Sequence, residues 1–589
     1  MSNLAFPGLA RGGPVRPSVR FADAVVVSVA AAVMVLASAC SDSTAPVSHA
    51  NAGPATGLIT VAPNGLARAA GSLRAPTTLE QAVAMAAPGS TIQLLSGTYQ
   101  TGGLVITRPL TIQPAPGATV KLTGSVSIPA SQWQASGRAW RTAWTNTGLP
   151  TAAAVGGMSE TTAGATVAAL PKTTAEAAQA VSEAKAILMQ SLGGPAEYAA
   201  HQHMAFVDGR SMVRVATPSA VAPGTFYMDT VAKQLYIGQD PNGHTVELSA
   251  TPVGMLLYTS NIRVTGVTLS HFSQIGLRIQ GSQVQVDHNT LSYNGQIGLD
   301  INGAPNAFAH DNVVTYNGQA GVLANVATDV IVQDNNISNN NTANYNVSQS
   351  AAGLKATQMT NFVFRGNWVA DNASNAVWID VNSTNSTIVD NQVLRNTCYG
   401  IYIEESSGVI IAGNSVYGNT EGIGVHFTAN ASVYNNTMVN NGRALDVSAS
   451  YSRPPYDLSN AKVVNNIMWN ATTSMVENLY RYNGCSGIYT EVDYNGYFRP
   501  SGSVATTEVN YCNDFYPTMK AFHTGTGYET HGIAVDGGTD PFFVNAYGAN
   551  FHLKAGSKAK GAGQPLPANI AAALGWPAGA KVSMGAIQD

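Results

Sequence analysis

"VWIDVNSTNSTIVDNQVLRNTCYGIYIEESSG", Val377 to Gly408, states one pattern twice. Two apolar beats, Val377-Trp-Ile-Asp380 and Ile401-Tyr-Ile-Glu404, lie 24 residues apart, and each ends in a carboxylate. Between them come β-branched stretches, Asn391 and Asn396. Working outward, the Gly or Ala that opens each beat recurs at Gly276, Gly298, Gly321, Gly353, Ala376, Gly400, Gly422 and Ala444. The steps are 22, 23, 32, 23, 24, 22 and 22. The one long step holds an insertion, "NNNTANYNVSQSAA". Asn289, Asn312, Asn335, Asn367, Asn391, Asn414, Asn436 and Asn466 keep the same time. Asn tolerates left-handed corners and bonds its neighbours, so these rows read as structural corners whose amides stack from coil to coil. Short strands, sharp corners and a period near 22 residues predict an all-β, right-handed parallel β-helix. Each coil carries about three strands, and coils stack about 4.8 Å apart.

The rest of the chain is read against that period. Residues 57–130 fit an N-terminal cap and first coils: "TLEQAVAMAA" predicts a capping helix with Thr78 as N-cap and Gln81 in the capping-box position. Residues 131–250 break the period. "FVDGRSMVRVA", "PGTFYMDTVAKQLYIGQDP" and "HTVELSA" predict a small inserted, sandwich-like β-domain. Within it, the Ala/Thr-rich stretch 150–200 contains a helix pattern capped by Thr173 with Glu176, and reads as either a lid or a loop. Central coils run over 251–475, and C-terminal coils and cap over 476–589.

The N-terminus carries Arg11, Arg16 and Arg20, then an apolar run from Ala24 to Ala39, too short and Ala-rich for a membrane span. Residues 1–39 read as an export signal. Leu36-Ala-Ser-Ala-Cys40 resembles a bacterial lipobox, which implies cleavage before Cys40 and its lipidation, with 40–56 as a polar tether. This places the protein in the bacterial cell envelope, lipid-anchored or secreted, touching membrane only through that anchor. In an oxidising compartment Cys485 and Cys512 are close enough to pair, leaving Cys398 as a small apolar filler. With 11% charged residues and a net charge of −4, nucleic acid is excluded as an electrostatic partner. Oligomeric state is not legible.

Alternation along the beat sorts the side chains. Positions +1 and +3 are apolar in nearly every coil and point inward, so +2 and +4 point outward. The +2 column reads Arg278, Asp300, Leu323, Lys355, Trp378, Tyr402, Gly424, Asp446; the +4 column reads Gln280, Asn302, Asn325, Thr357, Asp380, Glu404, His426, Ser448. Asp380 and Glu404 then stand one rung apart, on the order of 5 Å, the spacing of a retaining glycosidase. One carboxylate would attack the anomeric carbon; the other, its pKa raised by its neighbour, would protonate the leaving oxygen. Trp378 and Tyr402 offer exposed rings for a sugar face; Lys355, His426 and Asp446 are candidate substrate ligands. The insertion before Lys355 and "SYSRPPYDLSN" after His426 are placed to wall a cleft.

"TLEQAVAMAAPGSTIQLLSGTY", "VDGRSMVRVA…PGTFYMD…LYIG" and "VWID…GIYIEES" together resemble the β-helix glycoside hydrolases, above all the retaining β-xylosidase family, a β-helix interrupted by a β-sandwich. The resemblance covers most of 75–450. It implies Asp380 as nucleophile and Glu404 as general acid/base, with a carbohydrate substrate and no required cofactor. Two other readings stand beside it. A polysaccharide lyase would use Lys355 or Arg278 on a uronate and brings in Ca²⁺ as a charge neutraliser. A non-catalytic glycan-binding or adhesive lipoprotein would need neither acid. His201-x-His203 has metal-like spacing without a third ligand, so no metal is assigned.

Overall fold

The computed structural model describes residues 57–144, 203–473 and 475–588. The signal and tether, Cys40, the helix pattern at Thr173 and His201 therefore lie outside the described residues. The main body is a solenoid of three parallel sheets, each of 13 strands. One sheet runs from Leu58–Val61 to Tyr489–Asp493, the next from Leu104–Ile106 to Asp514–Tyr516, and the third from Gly97–Gln100 to Ile533–Asp536. Val377, Ile379, Ile401 and Ile403, the inward residues of the two quoted beats, are fully buried and belong to one continuous core that runs through the coils. A period of two along each strand is what brings this about, because neighbouring coils pair residue for residue, as Val377 with Ile401 and Ile401 with Ile423.

The Asn rows build two buried amide ladders. In one, nine Asn from Asn289 to Asn495 each hand their side-chain N–H to the amide oxygen of the next, at 2.9–3.1 Å. The second runs from Asn294 through Asn317, Asn340, Asn372, Asn396 and Asn419 to Asn441. The ladders also explain the opening Gly. A Cβ on Gly298 would lie 2.5 Å from Val314 Cγ1 and 2.7 Å from the Asn317 amide nitrogen.

The N-terminal end is closed by a helix, Leu79–Met85, whose Thr78 hydroxyl accepts from the Gln81 N–H as the capping pattern predicts. The inserted domain is a four-stranded sheet facing a five-stranded one around Trp133, Phe226, Leu235 and Leu248. It begins at Ser125–Ile128, which pairs with Val246–Ser249, earlier than the break in period suggests. Cys485 and Cys512 form a disulfide, with Cα atoms 5.7 Å apart. Cys398 is half-buried, and burial pushes its thiol pKa up. No helix among the described residues is long and apolar enough to cross a membrane.

The last 50 residues correct an expectation. After Ile533–Asp536 the chain does not add coils but folds back along the solenoid's outer faces. Leu566, Ile570 and Leu574 cover Val389, Ala412, Tyr434 and Val464, while Phe542 and Phe543 cover Trp469 and Phe498. Those coil residues are apolar at outward positions, the large Tyr434, Trp469 and Phe498 among them, and the returning tail keeps them from water.

The C-terminal coils also bury acids. Tyr497 Oη lies 2.8 Å from Glu477 and 2.9 Å from Glu529, and Glu529 receives the last rung of the first Asn ladder at 2.6 Å. Burial raises Glu477 and Glu529 to about 8. A carboxyl raised in the folded state holds its proton while the unfolded chain, near 4.3, has lost it. Its contribution is complete below that unfolded value and drains away as pH climbs to about 8. Glu477→Gln is therefore expected to shift Tm upward relative to wild type by a margin on the order of 2 °C greater at pH 8 than at pH 5. Thermal melts at the two pH values check this; an equal margin at both would refute it.

Candidate active site

The two acids sit where the register places them, at the C-terminal ends of neighbouring strands, Asn375–Asp380 and Tyr399–Glu404, in the middle sheet. The ladder pairs Trp378 with Tyr402 and Ile379 with Ile403 and stops there. The corner after Asp380 carries one extra residue. Both Val381 (φ 27°) and Asn382 (φ 58°) are left-handed, where the corners after Thr357, Glu404 and His426 use one such residue each. This local bulge accounts for the 24-residue step, and the Val381 N–H it frees is taken by Asp380 Oδ1 at 2.8 Å.

The floor is deeper than the outward columns suggest. Asp380 is 5% exposed, Trp378 4% and Lys355 3%. Lys355 Nζ stands 3.0 Å from Asp380 Oδ2, 3.7 Å above the centre of the Trp378 ring, and 2.6 Å from the Gln349 carbonyl. Trp378 is thus not the exposed sugar platform expected of it. It is roofed by a lysine that the insertion holds in place. The insertion follows the predicted course: Tyr345 is buried, and the Val347 carbonyl meets Asn375 at 3.4 Å. The aromatic surface passes instead to Tyr399 and Tyr402, stacked at 4.5 Å and half-buried.

Glu404 is 14% exposed. Its pKa is raised, chiefly by burial and then by the charge of Asp380, while Arg453 and His426 pull it back. Burial also raises Tyr402, so its hydroxyl keeps its proton and hydrogen-bonds Glu404; His426 Nδ1 lies 3.3 Å from the same hydroxyl. His426 Nε2 in turn stands 3.3 Å from Asp446. Asp446 corrects a second expectation. It accepts from Arg443 and Asn478 at 2.7 Å each, and although burial opposes ionisation, His426 and Arg443 hold it down at about 2. It anchors His426 and has no free edge for a substrate. Arg278, considered as a lyase residue, is buried against Asp300 at 2.5 Å, far from the acids along the solenoid.

Two participants escaped the sequence reading. Arg453, on the loop after His426, sits 3.5 Å from Glu404 Oε1 and also pairs with Glu405. Burial raises the pKa of Glu405 as well. The same loop ties back through Tyr456 to Asn382, 2.8 Å, across the acids' corner. The tandem acids of "IEES" and the Arg in "SYSRPPYD" were the available signals. What lies together is a carboxylate paired with a buried lysine, a second carboxyl group on the next rung whose pKa is raised, an aromatic wall and a cationic loop.

A family model described as the right-handed β-helix region matches residues 253–416. The fold is a right-handed parallel β-helix. Among solved structures, the chain is similar to the complex of XylC with xylose, at 14% identity and a TM-score of 0.55, over 83% of this chain and 88% of that one. It is also similar to pectate lyase Pel9A, at 14% identity, TM-score 0.45, over 91% and 97%. A third is the Azotobacter vinelandii mannuronan C-5 epimerase AlgE4 A-module, at 11%, TM-score 0.40, over 76% and 91%. No curated protein matches the chain. At these identities the likeness speaks to the β-helix itself.

The Lys355–Asp380 pair carries a stability consequence. Removing one partner of a buried pair strands the other's charge, at a cost of roughly 3–5 kcal/mol. Lys355→Met is expected to lower the denaturation midpoint accordingly, and adding Asp380→Asn to recover most of the loss. A Lys355→Met protein as stable as wild type would refute the pairing.

Proposed function

We propose that the protein is an extracytoplasmic glycoside hydrolase that cleaves its carbohydrate by a retaining, two-carboxylate mechanism. The observation that carries this reading is the division of labour between neighbouring rungs. Asp380 is ion-paired with Lys355 and accepts the Val381 N–H, while burial and the charge of Asp380 raise the pKa of Glu404. A carboxylate has about four lone-pair positions, so two hydrogen bonds leave Asp380 able to attack. In the first step Asp380 displaces the leaving oxygen from the anomeric carbon as Glu404 gives that oxygen its proton. In the second, Glu404 takes a proton from water, and the water oxygen releases the sugar from Asp380. Tyr402 holds Glu404 by a hydrogen bond, and His426, braced by Asp446, holds Tyr402. Tyr399 and Tyr402 supply the stacking face for a sugar ring.

Elimination is less well served. A lyase needs a base with a free lone pair, and Lys355 is engaged with a carboxylate. Export is supported by the apolar N-terminal run, by the lipobox-like Cys40 and by the Cys485–Cys512 disulfide.

A panel of aryl xylosides, arabinosides and fucosides, run beside uronate polymers watched for unsaturated products, tests the reading. Release of aryl alcohol is expected, abolished by Asp380→Ala and slowed about 10²–10⁴-fold by Glu404→Gln. Absorbance from a new C=C bond would replace it with the lyase. Glycan binding unchanged in both variants, without turnover, would replace it with an adhesin. The charge on Arg453 lowers the Glu404 pKa. Arg453→Met is therefore expected to carry the alkaline limb of the kcat/KM profile to higher pH; a limb that stays put or moves down would remove Glu404 as the acid.

A further inference from the structure

On the sheet that begins at Leu58–Val61, well away from the acids, two histidines and an aspartate converge at one corner. His288 follows the strand Gln285–Asp287, His310 ends the next strand, Phe308–His310, and Asp311 turns the corner after it. His288 and Asp311 both adopt left-handed corner geometry, φ 56° and 53°, which stacks them on consecutive coils. One donor atom from each of His288, His310 and Asp311 falls within 4.8 Å of the others.

The surroundings are built to hold these groups still. His288 Nδ1 lies 2.9 Å from Asp287 Oδ2, which leaves Nε2 facing outward. Asp287 is buried and fixed by Arg263 at 2.8 Å through two nitrogens and by the Thr265 hydroxyl at 2.7 Å. A carboxylate that orients a ring through one nitrogen while the other is left to a ligand is the arrangement found behind metal-binding histidines. The His310 ring is stacked on Phe308 at 4.1 Å, its Nδ1 is 2.7 Å from Asp311, and its Nε2 is 2.9 Å from the Gln285 amide. Turning that amide would present its oxygen as a fourth donor. Because Arg263 balances Asp287, the charge offered outward is that of Asp311.

We propose that His288, His310 and Asp311 bind a divalent transition ion of the zinc type, bridging two consecutive coils, with Asp287 as a positioning residue. Two imidazoles and one carboxylate suit Zn²⁺ or Ni²⁺; Ca²⁺ prefers an all-oxygen set. Donors in a tetrahedral zinc site stand about 3.4 Å apart, so the side chains need close by only an ångström or so. The ion adds a link between two rungs already joined by the sheet ladder and the Asn289–Asn312 amide bond, on a face that carries none of the residues proposed for catalysis.

The test uses the full chain without an affinity tag, in detergent, titrated with Zn²⁺, Ni²⁺ and Ca²⁺ by calorimetry and followed by thermal melting. One zinc-class ion per chain and a raised Tm are expected, with no response to Ca²⁺. His288→Ala and Asp311→Asn should each weaken Zn²⁺ at least about tenfold, and Asp287→Asn by a similar factor through the lost orientation of His288. Each variant's melt without metal shows that it has folded. Absence of Zn²⁺ binding overturns the proposal. So does binding undiminished in the His288→Ala/Asp311→Asn double variant, which would put the ion elsewhere, His201-x-His203 included.

Discussion

The amide ladder is the constraint on which the remainder of the molecule rests. A coil corner exposes backbone groups that water cannot reach once coils stack, and an unpaired buried group costs about 1–3 kcal/mol. Each ladder Asn meets that demand three ways. Asn391, for example, accepts from the Asn367 backbone and side-chain N–H groups, donates to the Phe364 carbonyl, and donates to Asn414. No other residue type offers both donor and acceptor at that reach while sitting comfortably in a corner. A slip of one residue in any coil would break the ladder and turn that coil's apolar side chains to solvent together. Register is consequently fixed twice over, by burial and by hydrogen bonds.

Fixed register is what permits chemistry on the outer face. Asp380, Glu404 and His426 occupy equivalent positions of successive coils, so their alignment needs no special loop to create it. Loops enter only to change the surroundings. The insertion before Lys355 delivers the Gln349 carbonyl that steadies the lysine, and the loop after His426 delivers Arg453. One loop thereby steadies the lysine paired with Asp380, and the other limits how far the pKa of Glu404 is raised. In a chain with 11% charged residues, Lys355, Asp380, Glu404, His426 and Asp446 put a charged or titratable side chain on each of five successive coils.

The parts legible beforehand are those that repeat. The period located the coils and alternation separated inward from outward, which put Asp380 and Glu404 at the ends of neighbouring strands. What stayed hidden depends on contacts between residues far apart in sequence. Alternation says that Trp378 points outward but not that an insertion will roof it. It assigns Asp446 to a surface column but cannot foresee Arg443 and Asn478 closing around it. The folded-back tail was concealed for the same reason, since its partners, Val389 to Val464, read as ordinary strand residues. His288 and His310 leave no mark on the period, because they lie at the ends of strands of another sheet, next to the Asn rows.

The bulge at Val381 ties these levels together. An added residue at a corner would ordinarily leave an N–H unpaired and disturb the coil above. Here the freed N–H is taken by the side chain of Asp380, the ladder resumes at the next residue, where the Asn382 N–H donates to the Glu405 carbonyl at 2.9 Å, and the Ser383 hydroxyl donates to the Asp380 carbonyl at 2.8 Å. The carboxylate is thus aimed by the irregularity that it repairs. That coupling gives a physical reason for the one 24-residue step among beats that, the 32-residue insertion step aside, fall 22 or 23 residues apart: this departure falls on the coil that carries the proposed nucleophile, and the Asn rows on either side absorb it without losing a rung.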